Sequence, residues 1–396
     1  MKAVILGAGK STRTYPLTLT RPKLLLTVMN KTLLEHNLEA LEGLVDEVIV
    51  VVGYKKEMLI ERFSDYKGFK LRFVEQKEQL GTGDALRCAR EFLSGKFLVM
   101  NGDDIYGRED IKACIKEKHA ILAQESSQPE RFGVVEQSSD NLVRIVEKPA
   151  DPKSKLINTG LYVLSDKIFD FELKETERGE LELVDYANGL ARKEQVKVKQ
   201  VCSHWLPVGY PWHIIEANKA LLQKMEPKVE GVIEDGAILK GAVRIGKGTL
   251  VKSGTYIEGP VLIGEDSMIG PSAYIRPDTT IGNRCKIRAE VFDAVIMDDS
   301  VAKHYSYVAH SVLGEDVNIG AGTITADYRH DGKNNITIVK GQKIDSGRRK
   351  LGSFMGDHVR TGINTSIYPG RKIWPGCGTL PGSVVKKDIM VEESGR

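Results

Sequence analysis

The run GAVRIGKGTLVKSGTYIEGPVLIGEDSMIG, residues 241–270, places an aliphatic side chain at every sixth position: Ile245, Val251, Ile257, Ile263 and Ile269. The same step reaches back to Ile233 and Leu239 and forward to Ile275, Ile281 and Ile287. Six fits neither the 3.6-residue period of a helix nor the plain alternation of a half-buried strand. It fits a solenoid with triangular coils, in which each six-residue unit makes one face and points one aliphatic residue inward. Gly246, Gly264, Gly270 and Gly282 follow inward positions and mark corners. No single coil could bury such a residue alone; stacked coils bury a continuous aliphatic column.

The phase slips near Phe292, resumes at Val295, Val301, Leu313 and Ile319, and is picked up again at Ile367 and Ile373. Between these, residues 326–350 break the repeat with a polar, charged insertion. Insertions in a solenoid fall on one face and are often functional. Flat outer faces bearing aliphatic residues invite three-fold side-by-side packing, so a homotrimer is expected.

Before about residue 225 the pattern is different. Ala3-Val4-Ile5-Leu6, residues 47–52 and Phe97-Leu98-Val99-Met100 read as buried strands, and residues 33–44 and 82–92 read as helices. Strands alternating with helices indicate a mostly parallel, doubly wound, Rossmann-like α/β sheet, with ligands at the carboxyl ends of its strands. The 396 residues are too many for one ordinary core, and the boundary falls between segments 1–226 and 227–396.

Hydrophobic residues at 41%, charged residues at 28% and a net charge of +3 describe a globular chain with no bias toward nucleic acid or an anionic membrane. The N-terminus runs straight into a strand, without a signal peptide or an apolar run of membrane-spanning length. Cys88, Cys114, Cys202, Cys285 and Cys377 are odd in number and lack metal-ligand spacing. They read as reduced, mostly buried thiols in a cytoplasmic protein.

Chemistry enters at Leu6-Gly7-Ala8-Gly9-Lys10-Ser11-Thr12-Arg13, followed by Arg21-Pro22-Lys23. A glycine-rich loop leaving a strand lets backbone N–H groups approach phosphates, while the arginines and lysine neutralise a triphosphate. By itself the loop is equally well read as a tight strand-to-helix turn. Further on come Gln76, Gln79-Leu80-Gly81-Thr82-Gly83-Asp84-Ala85, Asn101-Gly102-Asp103, Glu147-Lys148-Pro149 and Asn158-Thr159-Gly160. In this order they closely resemble the sugar-1-phosphate nucleotidyltransferase family across nearly all of residues 1–226.

The resemblance implies roles. Leu6, Gly7, Ala8 and Gly9, with Arg13 and Lys23, would hold the triphosphate, and Arg13 and Lys23 would act in catalysis. Gln76, Gly81 and Thr82 would read the base of UTP, and Asp103 would bind Mg²⁺. Gly133, Glu147, Lys148 and Asn158 would hold the sugar phosphate. Two positions depart from the family pattern: Ser11 replaces the second loop glycine, and Pro207 stands where an Asp is usual as a second metal ligand.

In the solenoid, Lys303-His304-Tyr305-Ser306-Tyr307 and Gly314-Glu315-Asp316-Val317-Asn318-Ile319-Gly320-Ala321-Gly322-Thr323 resemble the acetyltransferase half of bifunctional uridylyltransferase/acetyltransferases. That family's coil is left-handed, an exception to the right-handed crossover rule. The resemblance implies that His304 is the base. It implies further that Arg276, Tyr307, Asn318 and Lys333 hold an aminosugar phosphate, and that Gly320 and Ala321 face the thioester of acetyl-CoA. Phe292 and Asp327 depart from the family's basic residue and Asn, and His310 reads as a turn residue. Two other functions stay open: an acetyltransferase whose nucleotide-binding first domain is slow or regulatory, and a non-enzymatic regulatory subunit of the same architecture. The KHYSY and VNIGAGT runs argue against the second.

Overall fold

The computed structural model describes residues 1–176 and 179–390. Its contacts divide the chain into two units. One comprises Met1–Lys10, Pro22–Leu25 and Leu33–Pro207; the other comprises Ser11–Arg21, Leu26–Thr32 and Val208–Arg396, whose last six positions lie outside the described residues.

In the first unit, Lys70–Glu75, Glu47–Val52, Lys2–Leu6 and Lys96–Asn101 lie side by side in parallel. Glu47–Val52 is buried along its whole length, which is why Val48 to Val52 read as a continuous apolar run and not as an alternation. The expectation of a mostly parallel sheet holds only for this half. Leu156–Ser165 runs antiparallel to Lys96–Asn101, and Gly133–Ser138 forms a hairpin with Asn141–Glu147. The hairpin turn, Ser139-Asp140, has φ of 45° and 61°, the mirror-image turn that fits strand twist and permits only antiparallel pairing. The helices are shorter than expected, Leu33–Leu41 and Thr82–Cys88, the second passing into a tighter turn at Arg90–Phe92.

The second unit is a left-handed parallel β-helix with three sheets of eight, six and eight short strands. Ile245 pairs in register with Ile263 and Ile257 with Ile275, so a coil takes 18 residues, three units of six. Ile245, Val251, Ile257, Ile263, Ile269, Ile275, Ile281 and Ile287 all enter one buried cluster. The slip near Phe292 is a shortened coil, in which Ile281 pairs with Ile296 and Ile287 with Ala302, a step of 15. The inward residues there are therefore Ile296, Ala302 and Val308; Val301 is only partly buried, one position out of the phase expected for it.

Helix Pro211–Leu222 covers one face of the coils. Asn218 Nδ2 donates to Asp278 O at 3.1 Å, and the Trp212 and Phe354 rings lie 6.4 Å apart. Within the insertion, Ile336–Val339 and Gln342–Asp345 form a hairpin. Buried Lys372 donates to Ile338 O at 2.6 Å, and burial lowers its pKa to about 8. All five cysteines are free, but only Cys114 and Cys285 are buried, with burial pushing both thiols up to about 12; Cys202 is exposed. Among the described residues, no helix is long and apolar enough to cross a membrane.

Candidate functional site

The glycines of the first loop have different causes. A β-carbon on Gly7 would lie 2.5 Å from Leu24 Cδ2, so the buried Leu24 side chain would have to shift to admit one. At Gly9 a β-carbon would meet no atom within 4 Å, and φ is not positive. Neither packing nor backbone conformation asks for glycine at Gly9, so the open space there suits close approach by a ligand. Ser11 has φ 51° and ψ 47°, the left-handed region, which accounts for glycine being usual at that position. The N–H of Gly7 is spent on Val51 O at 2.9 Å, and Ala8 O accepts from Tyr54 N at 3.1 Å. Among the described residues, the N–H groups of Ala8 and Gly9 donate to no backbone carbonyl and are available to a ligand. Leu6 and Ala8 are buried in the strand end behind them.

Lys23 is 4% exposed, and its Nζ lies 2.5 Å from Asp103 Oδ2. Arg21 does not serve a triphosphate as expected. It is buried and paired with Glu315 and Asp357 of the β-helix, its own unit by contacts. Arg13, also in the second unit, holds its guanidinium 5.5 Å over the Tyr210 ring.

Buried Gln76 donates through Nε2 to Gly81 O at 3.0 Å and to Asp84 Oδ2 at 2.9 Å. Both amide protons are thus used, and what Gln76 can offer a base is its carbonyl oxygen, an acceptor. Gly81 has φ 107°, and a β-carbon there would lie 2.4 Å from Leu181 O. Thr82 Oγ1 accepts from Leu183 N at 3.0 Å, leaving its O–H as a donor. Sequence reasoning missed Asp84 as the group that orients Gln76, although the QLGTGDA run contains it.

The four residues expected at the sugar phosphate converge. Gly133 is in register with Glu147, and a β-carbon on it would lie 2.9 Å from Glu147 Oε2 and 3.6 Å from Asn158 Cβ. Lys148 Nζ is 3.2 Å from Glu147 Oε1. Asn158 donates to the hydroxyl of Tyr162, whose pKa burial pushes well up. Tyr162 was also missed, because within a strand it reads as core.

Among the described residues no group of three or more His, Cys, Asp or Glu side chains is arranged to hold a metal ion. Gly102, the neighbour of Asp103, donates through N to Leu6 O at 2.8 Å, at the start of the glycine-rich loop, and the Asp103 carboxylate is 37% exposed. One such oxygen donor, completed by phosphates and water, suits Mg²⁺, which dehydrates reluctantly and seldom occupies an all-protein cage. Pro207 pairs with Asp104 at the end of a two-stranded ladder and adds no ligand.

On the β-helix, His304 and Tyr305 form an exposed corner with φ of 55° and 59°. The corner of the next coil stacks on it: Gly322 N donates to His304 O at 3.0 Å, and Ser306 Oγ donates to Gly320 O at 3.2 Å. His304, Gly320 and Ala321 thereby share one edge. Arg276 and Tyr307 share the adjacent face, where Tyr307 is in register with Glu290 and Arg276 donates to Glu290 at 3.0 Å. Arg276 also lies 4.1 Å over the Phe292 ring, so the residue that departs from the family pattern stacks under an expected phosphate ligand. Asn318 lies on a different sheet of the coil, and Lys333 is exposed in the insertion, so one chain does not gather all four expected ligands on one face. His310 is no simple turn residue. It is buried between Asp293 and Asp327.

Comparison with known proteins agrees with both halves. The nucleotidyl transferase family model matches residues 2–224, and the GMPPB C-terminal domain model matches residues 257–375. The bifunctional protein GlmU of Methanocaldococcus jannaschii is 41% identical over 98% of this chain and 96% of its own length. A bifunctional sugar-1-phosphate nucleotidylyltransferase/acetyltransferase of Sulfurisphaera tokodaii is 41% identical, covering 98% of each chain. Among solved structures, a putative glucose-1-phosphate thymidylyltransferase from Bacillus anthracis superposes with TM-score 0.52 at 27% identity, covering 58% of this chain and 97% of that one. With both motif sets in one chain and relatives matched over nearly their whole length, this chain belongs to the family of bifunctional sugar-1-phosphate nucleotidylyltransferase/acetyltransferase enzymes.

Proposed function

We propose that the protein acetylates glucosamine 1-phosphate with acetyl-CoA on the β-helix, residues 227–396, and transfers uridylyl from UTP to the product in residues 1–226, giving UDP-N-acetylglucosamine and pyrophosphate. The full-length likeness to the Methanocaldococcus protein carries this reading, because it spans both halves at once. On the β-helix, His304 accepts the proton lost by the attacking amine, the amide edge at Gly320 and Ala321 faces the thioester, and CoA leaves as its thiol. Arg276, Tyr307, Asn318 and Lys333 hold the sugar phosphate. In the first domain a sugar phosphate oxygen attacks the α-phosphorus in line, forming the new P–O bond as pyrophosphate departs.

There, Lys23 and the loop from Leu6 to Gly9 offset the growing charge, the role that the family resemblance gives to Arg13 as well. Gln76, Gly81 and Thr82 hold the base, and Glu147, Lys148, Asn158 and Gly133 position the sugar. Mg²⁺, held by Asp103 and phosphate oxygens, would screen the triphosphate charge. The Gln76 carbonyl suits the N3–H of uracil or thymine equally. Incubation with a panel of aminosugar phosphates and with UTP or dTTP, assaying CoA thiol and pyrophosphate separately, tests both reactions. Absence of either product with every substrate removes the corresponding half.

A weak nucleotidyltransferase half is the second reading, favoured by Pro207 and by the left-handed Ser11. With Asp103 as the carboxylate assigned to the metal and Pro207 adding none, nucleotidyl transfer is expected to need unusually high Mg²⁺, and Pro207→Asp to lower that requirement. The removal of a fixed φ at the strand end acts against the gain. Magnesium titrations of both proteins check this, with acetyl transfer reporting the fold; an ordinary requirement that the substitution leaves unchanged refutes it.

We also assign the protein to the cytoplasm and to a homotrimer. The exposed apolar residues Val232, Ile238, Met268, Tyr274 and Ile324 lie on strands of the two coil faces that helix Pro211–Leu222 does not cover. A neighbouring chain would then complete the ligand set that one chain leaves split between faces. Light scattering should give three times the chain mass at micromolar concentration, and a monomer there would contradict a shared site.

A further inference from the structure

We propose that His310 is a positioning residue of the β-helix site: a charged clasp that holds the insertion, residues 326–350, against the coil carrying His304 and Tyr307. The proposal rests on the acetyltransferase reading above. The His310 ring, 6% exposed, sits between two carboxylates, with Nδ1 2.6 Å from Asp293 Oδ2 and Nε2 3.1 Å from Asp327 Oδ2. The second contact is poorly angled for a hydrogen bond, so its attraction depends on charge. Arg348 Nη2 donates to the same Asp293 oxygen at 3.0 Å.

Asp327 and Arg348 stand near the two ends of the insertion, and Leu351 N donates to Asp327 O at 2.8 Å, tying the stem once more. The clasp therefore closes both ends of a segment that carries Lys333. It also borders the expected sugar-phosphate ligands. Burial first, then the nearby charges of Asp327 and Glu290, push the Tyr307 phenol up, and the Phe292 ring under Arg276 packs edge-on to His310 at 4.9 Å.

Two carboxylates and Arg348 reach charge balance only when the imidazole is protonated. Burial alone would lower the pKa of His310, but the hydrogen bond to Asp293 and the negative charges of Asp293 and Asp327 outweigh burial and hold it above the ordinary 6.5. The remaining charged neighbours are Glu216 on helix Pro211–Leu222, 3.4 Å from Arg348, and Lys350, whose charge helps keep Asp327 ionised. Because the folded value is raised, the clasp is whole below the unfolded pKa and is lost as pH rises through the folded one.

The test compares full-length wild type, His310→Gln and Asp327→Asn in acetyl transfer, following KM for the aminosugar 1-phosphate and kcat against pH. Wild-type KM should rise on the alkaline side through a single titration. Asp327→Asn, which removes charge and keeps shape, should move that rise about one pH unit lower. His310→Gln should raise KM roughly tenfold at neutral pH and abolish its pH dependence, with kcat at saturation near wild type because His304 is untouched. An alkaline rise that does not move in Asp327→Asn, or a wild-type KM profile in His310→Gln, overturns the proposal.

Hydrogen exchange of residues 328–349 gives a readout independent of activity. At one pH it should be roughly tenfold faster in both variants than in wild type, as expected for a locally opened segment. Equal exchange in all three proteins overturns the clasp. Wild type that releases no CoA thiol with any aminosugar phosphate overturns the acetyltransferase reading instead, and exchange still decides the clasp.

Discussion

Replacing His304 with alanine is expected to lower acetyl transfer by roughly 10²–10⁴-fold, the range for losing a general base. The sugar's amine is an ammonium in water and must give up a proton to attack a thioester. Imidazole titrates near neutrality and can take it. The substitution leaves no buried partner stranded, since His304 is an exposed corner residue. Its backbone is left-handed, however, at φ 55°. Alanine tolerates that region poorly, at a cost of about 1–2 kcal/mol, whereas asparagine adopts it readily. His304→Asn therefore separates lost chemistry from a strained corner, and both variants should lose acetyl transfer alike. Uridylyl transfer to an already acetylated sugar phosphate should barely change, as its groups belong to the other half. If both activities fall together in a folded protein, the two-site assignment is wrong.

Asp103→Ala should remove metal-dependent nucleotidyl transfer, by about 10²–10³-fold or more, while sparing release of CoA thiol. Its carboxylate is partly exposed and is the metal ligand proposed above, and transfer to phosphorus depends on positioning and charge stabilisation. Asp103 is also the partner of Lys23, whose buried ammonium lies 2.5 Å away. Alanine removes both the metal ligand and that partner, and a buried charge left unpaired is destabilising. Asp103→Asn preserves volume and a hydrogen-bonding oxygen near Lys23, so it is the variant in which to follow Mg²⁺ dependence. Rates measured at several Mg²⁺ concentrations should show no saturable metal effect in either variant. An unchanged rate in Asp103→Asn would exclude Asp103 as the ligand.

The sequence alone determined the solenoid, because burial in a stacked coil repeats at a fixed interval and each of Ile245 to Ile287 had to be aliphatic for the same reason. It determined the strand runs of the first domain too, since Val48 to Val52 are buried on both faces of the sheet and are all aliphatic. The local motifs QLGTG, NGD, KHYSY and VNIGAGT were legible because each keeps its chemical groups close together in the chain. Tertiary structure decided what depends on partners distant in sequence. Arg21, read as a phosphate ligand, is drawn by charge to Glu315 and Asp357, about 300 positions away. Gln76 loses its donors to Gly81 and Asp84, and only the folded turn reveals that its acceptor is what remains. His310 looked like a corner residue, yet a coil shortened to 15 residues and the two ends of an insertion bring Asp293, Asp327 and Arg348 around it. Periodicity records which side of a strand faces the core. It carries no record of which charges meet when coils of unequal length stack, because that depends on where each corner falls relative to the coil below.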